Sequence, residues 1–514
     1  MISLISMLLL SGAVVASGCT DNSQQTNADA SGTEAKTVTI LYHFKSPTLD
    51  PHNDWGPMRT GVTETLVRLD DNLQLQPWLA SKWETQDNKK WVFTIRDGIT
   101  FHDGTKLDAA AVKASLERAI TVSKPMALAL KIASVEASGQ TLTIVTSGPH
   151  PTLPSELVNP NASIVSVEAE KKMGTEAFNN DPVGTGPFMV KSFTSNTEIV
   201  LERNEKYWDG KAKLRDVVVK FNDDANVRAL SLQSKEADIA TQLPSEMLSA
   251  IAQDEDLEVK SVPSLRVHYL IFNQQKPLLQ DVRVRKALDM LLDRDSMAEK
   301  VMLGNATPAN GPFSTSLPFA SQDAVQKIDM DGAKKLLAEA GFQPGADGKL
   351  AKDGKPLTLE LITYKLRPEL PLLAQLFQSD AAKAGITVNI KTVENAETYL
   401  RENKDYDLVT YSSLSAPRGD GEYFLDSALM PGGSVNSANI NSKKIIDIVA
   451  RLNVTSNAAQ RNELTKEAVS IIKEEVPHAY AVYPNLIVGV NKRVANWKPR
   501  ADEHYIVTKE LDVK

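Results

Sequence analysis

The pattern of apolar and polar positions changes character several times along the chain. Residues 1–18 hold Ile, Leu, Met, Val and Ala with Ser and Gly between them. That run is shorter than the ~20 residues that cross a bilayer and fits the apolar region of a secretion signal. Residues 20–36 then carry Thr, Asn, Ser, Gln and Asp with little that is apolar, which reads as a flexible tether. From Thr37 the pattern is that of a folded body. The β-branched alternation Thr37-Val38-Thr39-Ile40-Leu41-Tyr42 predicts a strand. Further strands are expected at Trp91 to Ile95, Thr141 to Thr146, Thr197 to Leu201 and Val217 to Phe221. Helical spacing predicts helices from Thr60 to Leu69, from an Asp108 cap through Val112 and beyond, and from Ala225 to Lys235.

A second style begins near Val282. Helices are expected at Arg283 to Leu292, Asp295 to Met302 and Asp331 to Ala340, the last stopped by Gly341. Asp347-Gly348 and Asp353-Gly354 bracket a small hairpin that leads into a strand at Leu357 to Thr363. A helix at Leu370 to Ala384, strands at Ile386 to Lys391 and Asp407 to Tyr411, and a helix at Ala459 to Lys473 complete the pattern. Strands alternating with helices predict an α/β sheet. A chain of 514 residues exceeds the ~250–300 at which single cores stop growing, so two lobes are expected.

The chain has one cysteine, Cys19, preceded by Val15-Ala16-Ser17-Gly18. Small residues before a lone cysteine after an apolar run resemble a bacterial lipobox, in which Cys19 becomes the lipidated N-terminus. No Lys or Arg precedes Leu8, a departure from the basic start of a signal. The expectation is a protein of the cell envelope, lipid-anchored, facing the periplasm or exterior, with a mature body free of disulfides. A net charge of -8 argues against nucleic acid, which needs a basic face.

The chemistry of an enzyme is not visible. There is no Gly-x-Ser-x-Gly and no His-Glu-x-x-His, and the seven histidines are scattered without helical pairing. The chain is therefore expected not to be an enzyme and to carry no resident cofactor, with a secreted hydrolase as the remote alternative. Two histidines from distant segments could still meet in a cleft, and His52 is the candidate for metal contact.

Several segments together resemble the peptide and nickel class of solute-binding proteins that serve ABC importers, the bacterial extracellular solute-binding proteins of family 5. They are Leu49-Asp50-Pro51-His52, Glu64-Thr65-Leu66-Val67, Pro77-Trp78-Leu79-Ala80 with Trp83, Phe101-His102-Asp103-Gly104, Pro182-Val183-Gly184-Thr185-Gly186-Pro187-Phe188, Asn204-Glu205-Lys206-Tyr207-Trp208, and Val284-Arg285-Lys286-Ala287-Leu288 with Asp293-Arg294. Gly184 and Gly186 suit a turn with positive φ or a close approach to another segment. Trp83, Trp91 and Trp208 read as core anchors of the first lobe. The resemblance implies a two-lobe periplasmic-binding-protein fold of type II, in the large cluster with an extra subdomain, closing about a hinge on its ligand. The expected divisions are 1–18 signal, 19–36 tether, 37–273 first lobe with the extra subdomain at about 76–190, 274–485 second lobe, and 486–514 a return to the first. The implied partners are a small-molecule or short-peptide ligand and the membrane permease, with the protein itself a monomer.

Ligand candidates follow from the same resemblance. Asp420, in Arg418-Gly419-Asp420-Gly421-Glu422-Tyr423-Phe424-Leu425, matches the position that pairs with a peptide's α-amino group in peptide-binding relatives; its alternative is a loop turn. Glu422 stands where nickel-binding relatives often place a histidine. Arg367-Pro368-Glu369-Leu370-Pro371 resembles a segment of a nickel-linked branch. Arg367 could grip a carboxylate, or merely cap the helix that follows. Arg418 is a second candidate clamp, and Tyr411 and Tyr423 are candidate stacking or hydroxyl contacts. Nickel held as a small-molecule chelate is the favoured ligand, with a di- or oligopeptide the alternative.

Overall fold

The computed structural model describes residues 36–514; the expected signal, the lipidation residue Cys19 and nearly all of the tether lie outside them. Strand Thr37–Tyr42 forms as its alternation predicts and becomes the centre of one half of a twelve-stranded sheet. It lies parallel to Asp216–Phe221 and Ile239–Thr241. Glu198–Arg203 and Phe188–Thr194 extend that half antiparallel. In the other half, Arg266–Phe272 pairs antiparallel with Leu408–Leu414, which adjoins Thr358–Tyr364 and then Thr387–Val393, both parallel.

One strand belongs to both halves. His478–Asn491 pairs with Arg266–Phe272 through its first residues and with Ile239–Thr241 and Leu257–Pro263 through its last. Of its fourteen residues only Asn485 is less than buried. The chain crosses between halves a second time at 264–265, where Leu257–Pro263 gives way to Arg266–Phe272. Arg266–Phe272, expected in the first lobe, is buried at all seven positions and packs in the second core with Leu361, Leu408 and Val482. The first lobe keeps a core of Val38, Ile40, Ile199 and Val217, joined by Leu486, Val488 and Val507 from the chain's return.

A four-stranded antiparallel sheet, Ala80–Thr85, Lys90–Ile95, Thr141–Thr146 and Ile132–Ser138, carries its own core with Phe93, Leu116 and Ile144. Helix Ala109–Val122 covers it, and Asp108 caps that helix by accepting the Ala111 N–H at 2.9 Å.

The helix expected from Thr60 to Leu69 does not form. A short helix ends at Arg59, Gly61 takes φ 72°, and the chain turns into strand Val67–Leu69. Tertiary bonds override the local pattern. The N–H groups of Gly186 and Phe188 donate to the Val62 and Gly61 carbonyls at 3.1 Å. The Glu64 carboxylate is drawn inward by four donors: Trp78 Nε1 at 2.8 Å, Thr185 Oγ1 at 2.7 Å, Tyr207 OH at 2.6 Å and Trp208 Nε1 at 3.0 Å. Trp208 and Trp83 are half-buried at the edge of this core, and Trp91 is buried in it.

Gly184 and Gly186 serve close approach. A Cβ at Gly184 would lie 2.2 Å from the Val62 carbonyl oxygen, and one at Gly186 would lie 2.1 Å from that of Gly61. His102 locks the same knot: its Nδ1 accepts the Gly184 N–H at 3.3 Å and its Nε2 donates to the Gly186 carbonyl at 3.0 Å. The ring is neutral, with burial pushing its pKa down to about 4. Gly186→Ala should lower folding stability by more than about 2 kcal/mol through overpacking against backbone. Urea denaturation measures this, and an unchanged midpoint would show that the segment yields.

Candidate functional site

The strand Thr358–Tyr364 runs out at the cleft between the lobes, and helix Glu369–Lys383 starts just beyond it. Pro368 is suited to a helix start because its missing N–H has no partner there to lose. Leu370 is fully buried, and the Glu369 carboxylate holds His268 Nε2 at 2.7 Å. These two anchors leave Arg367 reaching into a cavity of about 540 Å³. Its side chain is 3% exposed, and its Nη2 has no hydrogen-bond partner among the described residues. A buried N–H donor left without a hydrogen bond is costly unless a ligand completes it.

Both lobes line this cavity: Phe44, Trp55 and Arg59 from the first, Arg266, Tyr411 and Tyr423 from the second. Two guanidiniums converge on the Glu503 carboxylate and a third on its backbone carbonyl. Arg266 donates to it from Nε at 2.6 Å and Nη2 at 3.0 Å. Arg367 Nη2 lies 3.7 Å from its Oε2. Arg59 Nε donates to the Glu503 backbone carbonyl at 3.0 Å, with its Cζ 4.7 Å from the Trp55 ring. Burial alone would raise the Glu503 pKa; the Arg266 and Arg367 charges override it and bring it down to about 2. Burial, and then the Arg266 charge, lower Arg367.

Tyr411 and Tyr423 line the cavity, and the Tyr411 hydroxyl reaches Glu397 at 3.4 Å. Arg418, Asp420 and Glu422 do not line the cavity. Buried Arg461, on helix Ala458–Glu475, requires counter-charge and takes both Asp420 oxygens at 2.9 Å. It also bonds Glu422, whose carboxylate accepts the Thr152 hydroxyl of the other lobe at 3.1 Å. Arg418 lies over the Tyr423 ring and forms an ion pair with Glu156, so it clamps a carboxylate of the protein's own first lobe. Burial pushes Glu156 up to about 7, against the pull of Arg418.

His52 is fully buried away from the cleft. Arg118 Nη1 donates to its Nδ1 at 2.8 Å, and its Nε2 donates to the Ser163 carbonyl at 3.0 Å. Both ring nitrogens are engaged, which closes it to a metal. Among the described residues no group of three or more His, Cys, Asp or Glu side chains is placed to hold a metal ion. Arg59, Trp55, Arg266 and Glu503 escaped the sequence reading. Only Arg266 carries a signal there, as a charge heading the apolar run Val267 to Phe272.

The pattern described as bacterial extracellular solute-binding proteins, family 5, matches residues 74–436. The chain belongs to this family. It is 31% identical over 499 residues to the nickel-binding protein NikA of Staphylococcus aureus, covering 97% of each chain. The crystal structure of that NikA in complex with Ni(L-His)2 superposes with a TM-score of 0.85, over 93% of this chain and 100% of the other. A nickel ABC transporter structure from Bacillus halodurans is 41% identical with a TM-score of 0.74, over 93% and 100%. The oligopeptide-binding protein AppA of Bacillus subtilis, in complex with a nonapeptide, is 21% identical with a TM-score of 0.81, over 93% and 99%, and shares the fold. These solute-binding proteins have two domains, and the two-lobe α/β architecture holds for this chain. No helix among the described residues is long and apolar enough to cross a membrane.

Two outcomes follow from the charges. Glu503 sits at about 2 against an ordinary 4.5, so its contribution to stability is complete above pH 4.5 and is lost as pH falls through about 2. That contribution is roughly 3 kcal/mol. Glu503→Gln should flatten the acid limb of Tm against pH; an identical limb would show the carboxylate is not engaged. Arg418→Ala leaves Glu156 buried without its partner and should cost about 3–5 kcal/mol. Adding Glu156→Gln should recover most of it in urea denaturation, and a double variant as weak as the single one would break the link.

Proposed function

We propose that this protein is the substrate-binding component of an ABC importer and captures nickel as a small-molecule chelate between its lobes. The observation that carries the reading is Arg367, whose buried Nη2 has no hydrogen bond and only a 3.7 Å ion pair to Glu503, set with Arg59 and Arg266 around a cavity of ligand size. Guanidiniums hold carboxylates, and a chelator presents carboxylates while supplying its own nitrogen and oxygen donors to the metal. NikA of S. aureus, seen with Ni(L-His)2, supports the same choice. The protein's task is to bind rather than to transform. Binding adds contacts that exist only when the lobes meet, and so favours closure. The closed form is then what a membrane permease would recognise. Lipid anchoring through Cys19, a place on the outer side of the membrane and a monomeric state complete the proposal. Its lobes would be 36–263 with 486–514, and 266–484.

A short peptide is the second reading, and AppA supports it as a relative in fold. Its anchor would be Asp420, which would have to give up Arg461 to receive an ammonium. That cost favours the chelate.

Native mass spectrometry of soluble protein starting after Cys19, from cells grown with nickel and histidine, should show nickel's isotope pattern plus an organic mass. A ladder of peptide masses without metal would replace the chelate by peptide. Arg367→Ala should weaken the chelate by about 2–5 kcal/mol in calorimetry, and unchanged affinity would remove Arg367 from the site.

A further inference from the structure

Strands Val67–Leu69 and Leu75–Pro77 of the first lobe pair antiparallel and are joined by a tight turn at 70–74. Several bonds stiffen that turn. Asp70 Oδ1 accepts the Asn72 and Gln74 N–H groups at 2.8 and 2.9 Å, and its Oδ2 accepts Gln76 Nε2 at 2.9 Å. Arg500, from the chain's return, donates to the Leu69 and Asp70 carbonyls at 3.1 and 3.2 Å and to the Asp71 carboxylate at 2.6 Å. This frame holds Leu73 at φ 61°, the left-handed region that a leucine occupies only when its surroundings keep it there. Leu73 packs on two cores at once, that of the four-stranded sheet and that of the second lobe. Its carbonyl meets Gly419 of the second lobe so closely that a Cβ there would lie 2.5 Å from the oxygen. Neither residue lines the ligand cavity, but Tyr423 does, and Arg418, next to Gly419, lies 4.8 Å from the Tyr423 ring.

We propose that Leu73 and Gly419 form a catch that holds the lobes together even over an empty cavity, and that they set ligand affinity as positioning residues without touching the ligand. The inference rests on the reading that the lobes close about a ligand, and not on which ligand it is. Seating the turn takes Leu73 out of water against the second core, a gain that open lobes forgo. That gain does not depend on what fills the cleft. The closed form is therefore visited without ligand, and a ligand adds its own contacts to it. The Arg418–Glu156 ion pair and the Thr152 hydroxyl on Glu422 flank the catch and fix its register. Glycine is what lets the two surfaces meet. Its left-handed backbone, φ 75°, would strain an alanine equally in the open and closed forms. The 2.5 Å contact with Leu73 exists only when the lobes are together, so it alone bears on closure.

The test is the time spent closed, read by single-molecule energy transfer. Soluble protein starting after Cys19 has no cysteine, so Glu117→Cys in the first lobe and Lys443→Cys in the second, both at exposed positions, accept the dye pair. The otherwise wild-type protein should close transiently without ligand, and nickel–bis(histidine) should lengthen each closed dwell. Gly419→Ala should shorten the closed dwell tenfold or more, and Leu73→Ala threefold or more, both without and with the complex. An unchanged closed dwell in either variant, with only Tm lowered, would reduce the pair to supports of their own loops and overturn the proposal. A wild-type protein that never closes without ligand would overturn it equally. Should Gly419→Ala fail to fold, Leu73→Ala decides alone. If nickel–bis(histidine) leaves the wild-type dwells unchanged, the chelate reading fails separately, and the ligand-free dwells still decide the catch.

Discussion

Like charges cannot be crowded in a half-desolvated cleft without an opposing charge to hold them. Arg59, Arg266 and Arg367 meet that constraint through Glu503. The arrangement explains why the C-terminal segment returns to the first lobe instead of ending in the second. From there the Glu503 carboxylate reaches Arg266 and Arg367 of the second lobe while its backbone carbonyl holds Arg59 of the first. It explains as well why a glutamate is kept in a backbone region that disfavours it. The cleft is thus set before any ligand arrives, and a carboxylate-bearing molecule finds donors already aimed.

A second set of charges lies outside the cavity and joins the lobes directly. Arg418 to Glu156 and Thr152 to Glu422 cross between them, with Arg461 neutralising Asp420 and Glu422 from behind. The ligand and these pairs act on the same closure. Residues that resemble ligand contacts in sequence therefore serve in contacts between lobes.

Much of the fold was legible. Strands with clean alternation, such as Thr37–Tyr42 and Lys90–Ile95, and capped helices such as Ala109–Val122 and Met330–Glu339, lie where local pattern places them. The Thr60 to Leu69 region misled because four donors from distant segments pull on Glu64. His478–Asn491 had no alternation to read, since both of its faces are buried. In the site, Arg367 was legible from the segment around it. Arg59 and Glu503 were not, because their role exists only where three distant segments converge. Asp420 shows the opposite case, a carboxylate whose partner, Arg461, lies 41 residues away in sequence.

The two crossings between the lobes sit side by side. The Ser264 hydroxyl donates to the Pro484 carbonyl at 2.6 Å, tying one crossing to the other, and the half-buried Asn485 follows at once. Two linkers fastened together at their midpoints leave little freedom for swivelling or sliding. The bond makes the two crossings one connection, so the lobes are joined as by a strap of double width rather than by two separate cords.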